Sequence, residues 1–228
     1  EYVNFSNLGR EARDPWGKSV GQGKFAFRSI GGQFLRVEPC HGRPNVLPAL
    51  KLRLDGLQTA SCDRIVVNTD SDSEVGEGDS HELTSATVLD IVKQKYDSAA
   101  TLGNQGDISL LSGSCTVSCI SWKAGDPPTD FLPKQENLER LVCAAIVSAY
   151  PNRAEPITEW LRSRPEAPNE SPKEFAWSHM AGWYADKGCE AFYSYLWQDD
   201  KIVEQLKTRL IAAGAWRVVE ELAKAKPN

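Results

Sequence analysis

Long hydrophobic runs are missing from this 228-residue chain. No apolar stretch approaches the ~18 residues of a membrane span, and no charged-then-apolar leader stands at the start, so no membrane association is expected. Histidine is scarce, at three residues, which leaves few partners for a nucleophilic dyad, and no Gly-x-Ser-x-Gly elbow is present. Neither a P-loop nor a Gly-x-Gly-x-x-Gly opens a helix after a strand. Positive charge is not in excess either. The net charge of −5 argues against a protein that coats DNA by electrostatics alone. It leaves room for nucleic acid held through a metal, where cations bridge carboxylates to phosphate. Internal repeats and low-complexity tracts are also lacking.

The six cysteines, at 40, 62, 115, 119, 143 and 189, do not have the dense, regular spacing of a disulfide framework. Most lie in apolar sequence, as Cys143 does in Leu-Val-Cys-Ala-Ala, and read as small buried hydrophobes of a reduced, cytoplasmic protein. Cys115 and Cys119 have a Cys-x-x-x-Cys spacing that suits zinc. No second Cys/His pair follows at a useful distance, and Cys40-His41 is remote in sequence. The chain opens on Glu1-Tyr2-Val3 without a Met, and an upstream piece is expected.

With 41% hydrophobic residues the chain has ample material for a core, and composition changes near residue 125. Residues 6–24 are rich in Gly, Ser, Asn and charge and read as a loop. Phe25–Val37 reads as two short strands turning at Gly31-Gly32. Asn45–Leu57 follows a helical period, with Val46, Leu47, Leu50 and Leu54 on one stripe. Asp63–Asp70 is a continuous β-branched run suited to a strand covered on both faces. A polar loop (73–82), a helix over about 83–97 and a strand over Val117–Trp122 follow. This alternation is that of an α/β sheet. From Lys134 to Tyr150 an amphipathic helix is expected, stopped by Pro151. Further helices are expected at about 154–163, 172–187, 189–197, 200–213 and 215–225. Five of the seven Trp (160, 177, 183, 197 and 216) lie in this helical C-terminal part. The expected organisation is an α/β domain over 1–150 and a helical extension over 151–228.

The chemistry is concentrated where the β-branched strand ends, in Asn68-Thr69-Asp70-Ser71-Asp72. Strand residues i and i+2 share a face, so Asp70 and Asp72 project together at the edge where open α/β sheets bind ligands. Magnesium takes one or two carboxylates and completes its shell with water and phosphate oxygens. Glu74 adds a third acidic group if the chain stays extended. The same Asp-Ser-Asp-Ser segment also serves as a plain polar turn leaving a strand.

Asp63-Arg64-Ile65-Val66-Val67-Asn68-Thr69-Asp70-Ser71-Asp72 resembles the Asp-x-Asp strand of Toprim-fold proteins. The likeness is to the nuclease type, including the overcoming-lysogenization-defect group and its relatives, and spans about residues 33–150. Asn137-Leu138-Glu139-Arg140-Leu141 resembles the Leu-Glu-containing helix of that group. Val37–Gly42 with its helix resembles the second strand and helix. The resemblance implies a mostly parallel, Toprim-like sheet flanked by helices, with the Trp-rich helical part appended. It also implies Mg²⁺ (or Mn²⁺) held by Asp70 and Asp72, and DNA or RNA as substrate. The family's first-strand glutamate normally stands in Val-Glu-Gly, well upstream of Asp-x-Asp. Here Glu38, 32 positions before Asp70, is the candidate for the catalytic carboxylate, or else that glutamate lies before residue 1. His41 and Arg43, in the turn after the preceding strand, and Lys173 are candidate substrate contacts. His41 also reads as a surface-turn histidine. Glu139 is a candidate acidic support, or a helix-surface residue. Lys134 and Arg140 flank the same helix and read as solvated face.

Two further readings compete. The Asp63–Asp72 stretch is also similar to the Asp-Arg-Ile-Val-Val-Ser-Thr-Asp strand of cytidylyltransferases that activate acidic sugars. No Gly/Arg/Lys-rich nucleotide loop accompanies it. The missing Val-Glu-Gly favours instead a non-catalytic Toprim-like module that docks on a protein partner or a second copy, in an anti-phage defence or DNA-processing complex. The Phe175–Tyr184 aromatic stripe suits core packing, or stacking of single-stranded bases.

Overall fold

A computed structural model describes residues 2–7, 12–13, 19–20, 25–29, 34–40, 43–56, 62–71, 73, 75, 85–111, 113–129, 131–163 and 196–223. The chain forms two compact units, one of residues 1–56 with 217–228 and the other of residues 57–216. Composition instead suggests divisions near 125 and 150. No helix among the described residues is long and apolar enough to cross a membrane.

Among the described residues the smaller unit holds five strands: β1 (Tyr2–Asn7), β2 (Ala12–Arg13), β3 (Ser19–Val20), β4 (Phe25–Ser29) and β5 (Phe34–Val37). β1, β4 and β5 form an antiparallel sheet in that order, with a register shift between Asn4 and Ser6, and β2 pairs with β3. The expected β4–β5 pairing is present, with Phe25 opposite Val37; its Gly31-Gly32 turn lies outside the described residues. The expected 6–24 loop is corrected by the ends of β1 and by the β2–β3 ladder. Strands of two residues are too short to show a period of two. A 3₁₀ turn (Arg43–Asn45) leads into α1 (Val46–Gly56), which buries Leu50 and Leu54 of the expected stripe. Pro48 falls in the first turn of α1, where its missing N–H would have had no helical partner.

The larger unit is built on β6 (Arg64–Asp70), α2 (Ser85–Lys95), β7 (Thr101–Leu102), β8 (Ile108–Leu110), β9 (Cys115–Trp122), α3 (Leu138–Ala149), α4 (Ala154–Ser163) and α5 (Asp200–Ala212); α6 (Ala215–Ala223) follows. The sheet order is β6-β9-β8-β7. Its β6–β9 pair is parallel, but β9–β8 and β8–β7 are antiparallel. The sheet is therefore mixed rather than mostly parallel. The connection from Leu110 to Cys115 is too short for a crossover, which parallel pairing needs, so it closes as a hairpin. Leu111 (φ 52°) and Gly113 (φ 86°) supply its left-handed turn. Val67, Val117 and Ile120 are buried in the parallel pair, and Val88 and Val92 of α2 are fully buried.

α3 begins at Leu138 rather than Lys134. Asn137 is its N-cap, with Oδ1 accepting from the Arg140 N–H at 2.8 Å. Residues 140–146 are buried all round, so α3 is an internal helix rather than a surface one with a single wet face. It packs against α5, which buries Ile202, Leu206 and Leu210 at a spacing of four. Asp199 caps α5 by accepting from the Lys201 and Ile202 N–H groups, and the Tyr150 hydroxyl donates to its other oxygen at 2.8 Å. The α4 range matches expectation, whereas the helix expected over 172–187 lies outside the described residues, as does that over 189–197 but for Leu196 and Trp197. Trp160 and Trp197 are 54% and 60% exposed, so these two are not core aromatics.

Candidate functional site

The site is the C-terminal edge of the parallel pair, where Asp70 at the end of β6 registers with Trp122 at the end of β9. The N-terminus of α3 meets this edge. The Leu138 N–H donates to Asp70 Oδ1 at 2.9 Å. Two side chains, Asp70 and Asn137, therefore accept from the first-turn N–H groups, where the helix dipole favours negative charge.

Beyond β6 the chain is stitched to the segment that leads into α3. The Glu136 N–H donates to the Ser73 carbonyl at 2.9 Å, and the Val75 N–H to the Lys134 carbonyl at 3.1 Å. Ser71 is fully buried and Ser73 nearly so, with their hydroxyls 2.7 Å apart. This fixes the backbone on both sides of position 72.

Behind the edge sits a buried ionic cluster. Arg140 has 0% exposure. Its guanidinium donates to the carbonyls of Pro133, Asp126 (2.8 Å) and Pro127 (3.1 Å). Its Nε faces Glu136 Oε1 at 3.4 Å, while Glu136 Oε2 accepts from the Ala124 N–H at 2.8 Å. The solvated-face reading of Arg140 is thus corrected. A guanidinium can be fully buried only where acceptors surround it, and the proline-rich 126–133 segment supplies them from carbonyls with no helical or strand partner. Arg209 extends the cluster with a two-pronged contact to Asp126, at 2.8 and 2.7 Å.

Of the residues singled out from sequence, Asp70 and Glu139 come to the same helix start, Glu139 half-buried in the first turn of α3. Asp72, Glu74, His41 and Lys173 lie outside the described residues, as does the whole Phe175–Tyr184 stripe. Arg43 opens the 3₁₀ turn before α1. Glu38 follows β5 in the smaller unit and is clasped by two cations, Arg36 Nε at 2.6 Å and Arg53 Nε at 2.8 Å. No group of three His, Cys, Asp or Glu stands together among the described residues. The Cys115/Cys119 zinc spacing is ruled out by β9 itself. Four residues along a strand span about 13 Å, far beyond one tetrahedral ion.

Sequence reasoning missed Ser71, Ser73, Glu136 and Asn137. Asn137 carried a usable signal, an N-cap residue directly before the apolar periodicity.

The fold is shared with a solved structure, that of the hypothetical protein PH0156 from Pyrococcus horikoshii OT3. The TM-score is 0.64 at 15% identity, over 98% of this chain and 89% of that one. No family model matches the chain, and no curated protein matches it.

Proposed function

We propose that the chain is a Mg²⁺-dependent phosphodiester-cleaving nuclease of Toprim type acting on DNA or RNA, with Asp70 and Asp72 as metal ligands. The observation that carries this reading is the position of Asp70. It ends a strand at the C-terminal edge of a parallel pair, beside the N-terminus of a buried helix. The donor set suits the ion: Asp70, Asp72 and Glu74 offer hard carboxylate oxygens, and in sequence they interleave with the inward Ser71 and Ser73. Bound there, magnesium supplies charge stabilisation for the phosphoryl oxygens and a more acidic water.

The chain's own part is to bind and orient. The Leu138 N–H fixes the carboxylate plane of Asp70. The 73–75 and 134–136 backbone bonds hold the approach rigid, and the positive end of α3 favours an anionic phosphate at the same edge. Glu38, the catalytic candidate named from sequence, belongs to the smaller unit.

The clasp on Glu38 favours a second reading, a non-catalytic Toprim-like module. A carboxylate between two guanidinium groups has little charge left for a cation. Titration calorimetry with Mg²⁺ and Mn²⁺, run beside cleavage assays on labelled DNA and RNA, separates the two. The nuclease reading expects binding and cleavage that Asp70→Asn and Asp72→Asn both abolish. Cleavage retained in those variants, or no binding by the wild type, sinks it.

A further inference from the structure

Cys62 and Cys115 lie where β6 and β9 begin, at the opposite edge of the sheet from Asp70. Arg64 registers with Thr116, and the Thr116 N–H donates to the Asp63 carbonyl at 3.0 Å, which carries the ladder back to the level of Cys115. The chain bends at Asp63, and the Cys62 and Cys115 thiols lie close enough to act on each other's ionisation. A regular ladder turns side chains that are offset by one residue to opposite faces; Cys62 stands outside β6, before the bend at Asp63, so that alternation does not hold its side chain away from Cys115.

The two thiols are unequal. Cys62 is exposed, with Sγ 3.1 Å from the Arg64 carbonyl, whereas Cys115 is 1% exposed. The hydrogen bond from Cys115, seconded by the Arg64 backbone, lowers the Cys62 thiol to about 6 against partial burial and the Asp63 carboxylate. The same hydrogen bond, together with burial, raises Cys115. The remaining described thiols, Cys40, Cys119 and Cys143, are all raised, chiefly by burial. An exposed thiolate beside a sheltered thiol is the arrangement of an attacking and a resolving cysteine.

We propose that Cys62 and Cys115 are a redox-active dithiol that closes reversibly into an intrachain disulfide at the expense of a low-molecular-weight disulfide. The Cys62 thiolate attacks one sulfur of the small disulfide, forming a mixed disulfide and expelling one small thiolate. The Cys115 sulfur then attacks the Cys62 sulfur, its proton passes to solvent, and the second small thiolate leaves. Two protein thiols are oxidised by two electrons, and one small disulfide is reduced to two thiols. The new bond fastens the start of β6 to the start of β9.

The test uses the full chain, reduced and then exposed to oxidised glutathione, quenched with iodoacetamide, digested and read by mass spectrometry. The expected product is a Cys62–Cys115 linked peptide, lighter by two hydrogens than its two thiol peptides and lost on treatment with dithiothreitol. Cys115→Ala is expected to stop at the Cys62–glutathione adduct, and Cys62→Ala to leave Cys115 unmodified. In the wild type the alkylation rate of Cys62 is expected to be half-maximal near pH 6. In Cys115→Ala it moves toward the ordinary value of about 8.5. Wild-type protein that halts at the Cys62 adduct with Cys115 still alkylated, or that links Cys62 to any other cysteine, overturns the proposal. The linked peptide is read on unaltered protein, so the proposal stays open to disproof even if a variant fails to fold.

Discussion

The Oδ1 atom of Asp70 accepts a 2.9 Å hydrogen bond from the backbone N–H of Leu138, so the last residue of β6 also serves the first turn of α3. Asp70 therefore has a structural task alongside its proposed role as a metal ligand, and substitutions can separate the two. Asp70→Asn keeps an oxygen acceptor for the Leu138 N–H and is expected to unfold within about 0.5 kcal/mol of wild type. Asp70→Ala leaves that N–H without its partner and is expected to cost about 1 kcal/mol, the usual worth of a helix-terminal acceptor. Urea unfolding measures both. Equal stability for the two variants would show that the Leu138 contact contributes nothing.

The buried Arg140 makes a stronger prediction. Arg140→Met keeps most of the volume but removes the donor for three carbonyls and leaves the Glu136 carboxylate with the Ala124 N–H alone. Breaking one side of a buried pair costs about 3–5 kcal/mol. Adding Glu136→Gln removes the stranded charge, so the double variant should be more stable than Arg140→Met. Strict additivity of the two single effects in chemical denaturation would argue against coupling between these residues.

Legibility in the sequence follows the range of the interactions. β6 and Asp70 can be read because a β-branched run ending in a carboxylate is a local signal. α4 can be read because its residues share a clear helical period. The start of α3 cannot, because Lys134-Gln135-Glu136 have good helical propensity. The 73–75 segment, some sixty residues away in the chain, takes the Lys134 carbonyl and the Glu136 N–H instead. The β7–β8 hairpin is illegible at two and three residues per strand. Arg140 reads as surface because nothing local shows that carbonyls from 126, 127 and 133 will enclose it.

Alkaline stability should report the buried thiols. Burial lifts Cys143 far above its ordinary value, and lifts Cys119 to about 11. A folded-state value raised above the unfolded one gives stability that is complete below the unfolded value and is lost as pH climbs past it. Each such thiol should lower the unfolding free energy by about 1.4 kcal/mol per pH unit above about pH 8.5. Cys62, which is lowered, acts with the opposite sign. Its contribution is present above the unfolded value and fades as pH falls toward 6. Urea titrations at a series of alkaline pH values test the first effect: Cys143→Ala should flatten the decline by one thiol's share. An unchanged slope would mean that Cys143 ionises in the folded protein as readily as in the unfolded one.

Arg209 fastens α5 to the segment that leaves β9. Its Nε and one terminal nitrogen grip both oxygens of Asp126, and that same nitrogen reaches the Ser148 hydroxyl on α3 at 2.7 Å. The other terminal nitrogen donates to the carbonyl and side-chain oxygens of Gln205, one turn earlier. Such a fork depends on planar geometry rather than on charge alone, and lysine cannot reproduce it. With the arginine side chain 10% and the aspartate 25% exposed, solvent screening is incomplete, and Arg209→Lys should cost about 1–2 kcal/mol although it keeps the charge. Ser148→Ala removes one contact of several and should cost no more than about 0.5 kcal/mol, as is usual for an exposed position. The consequence extends to the candidate site. The Asp126 carbonyl is also held by Arg140, so loosening the Arg209 fork should speed hydrogen exchange at Ala124 and Glu136 more than at the β7–β8 hairpin. Uniform exchange across the unit in Arg209→Lys would mean that the fork secures α5 alone.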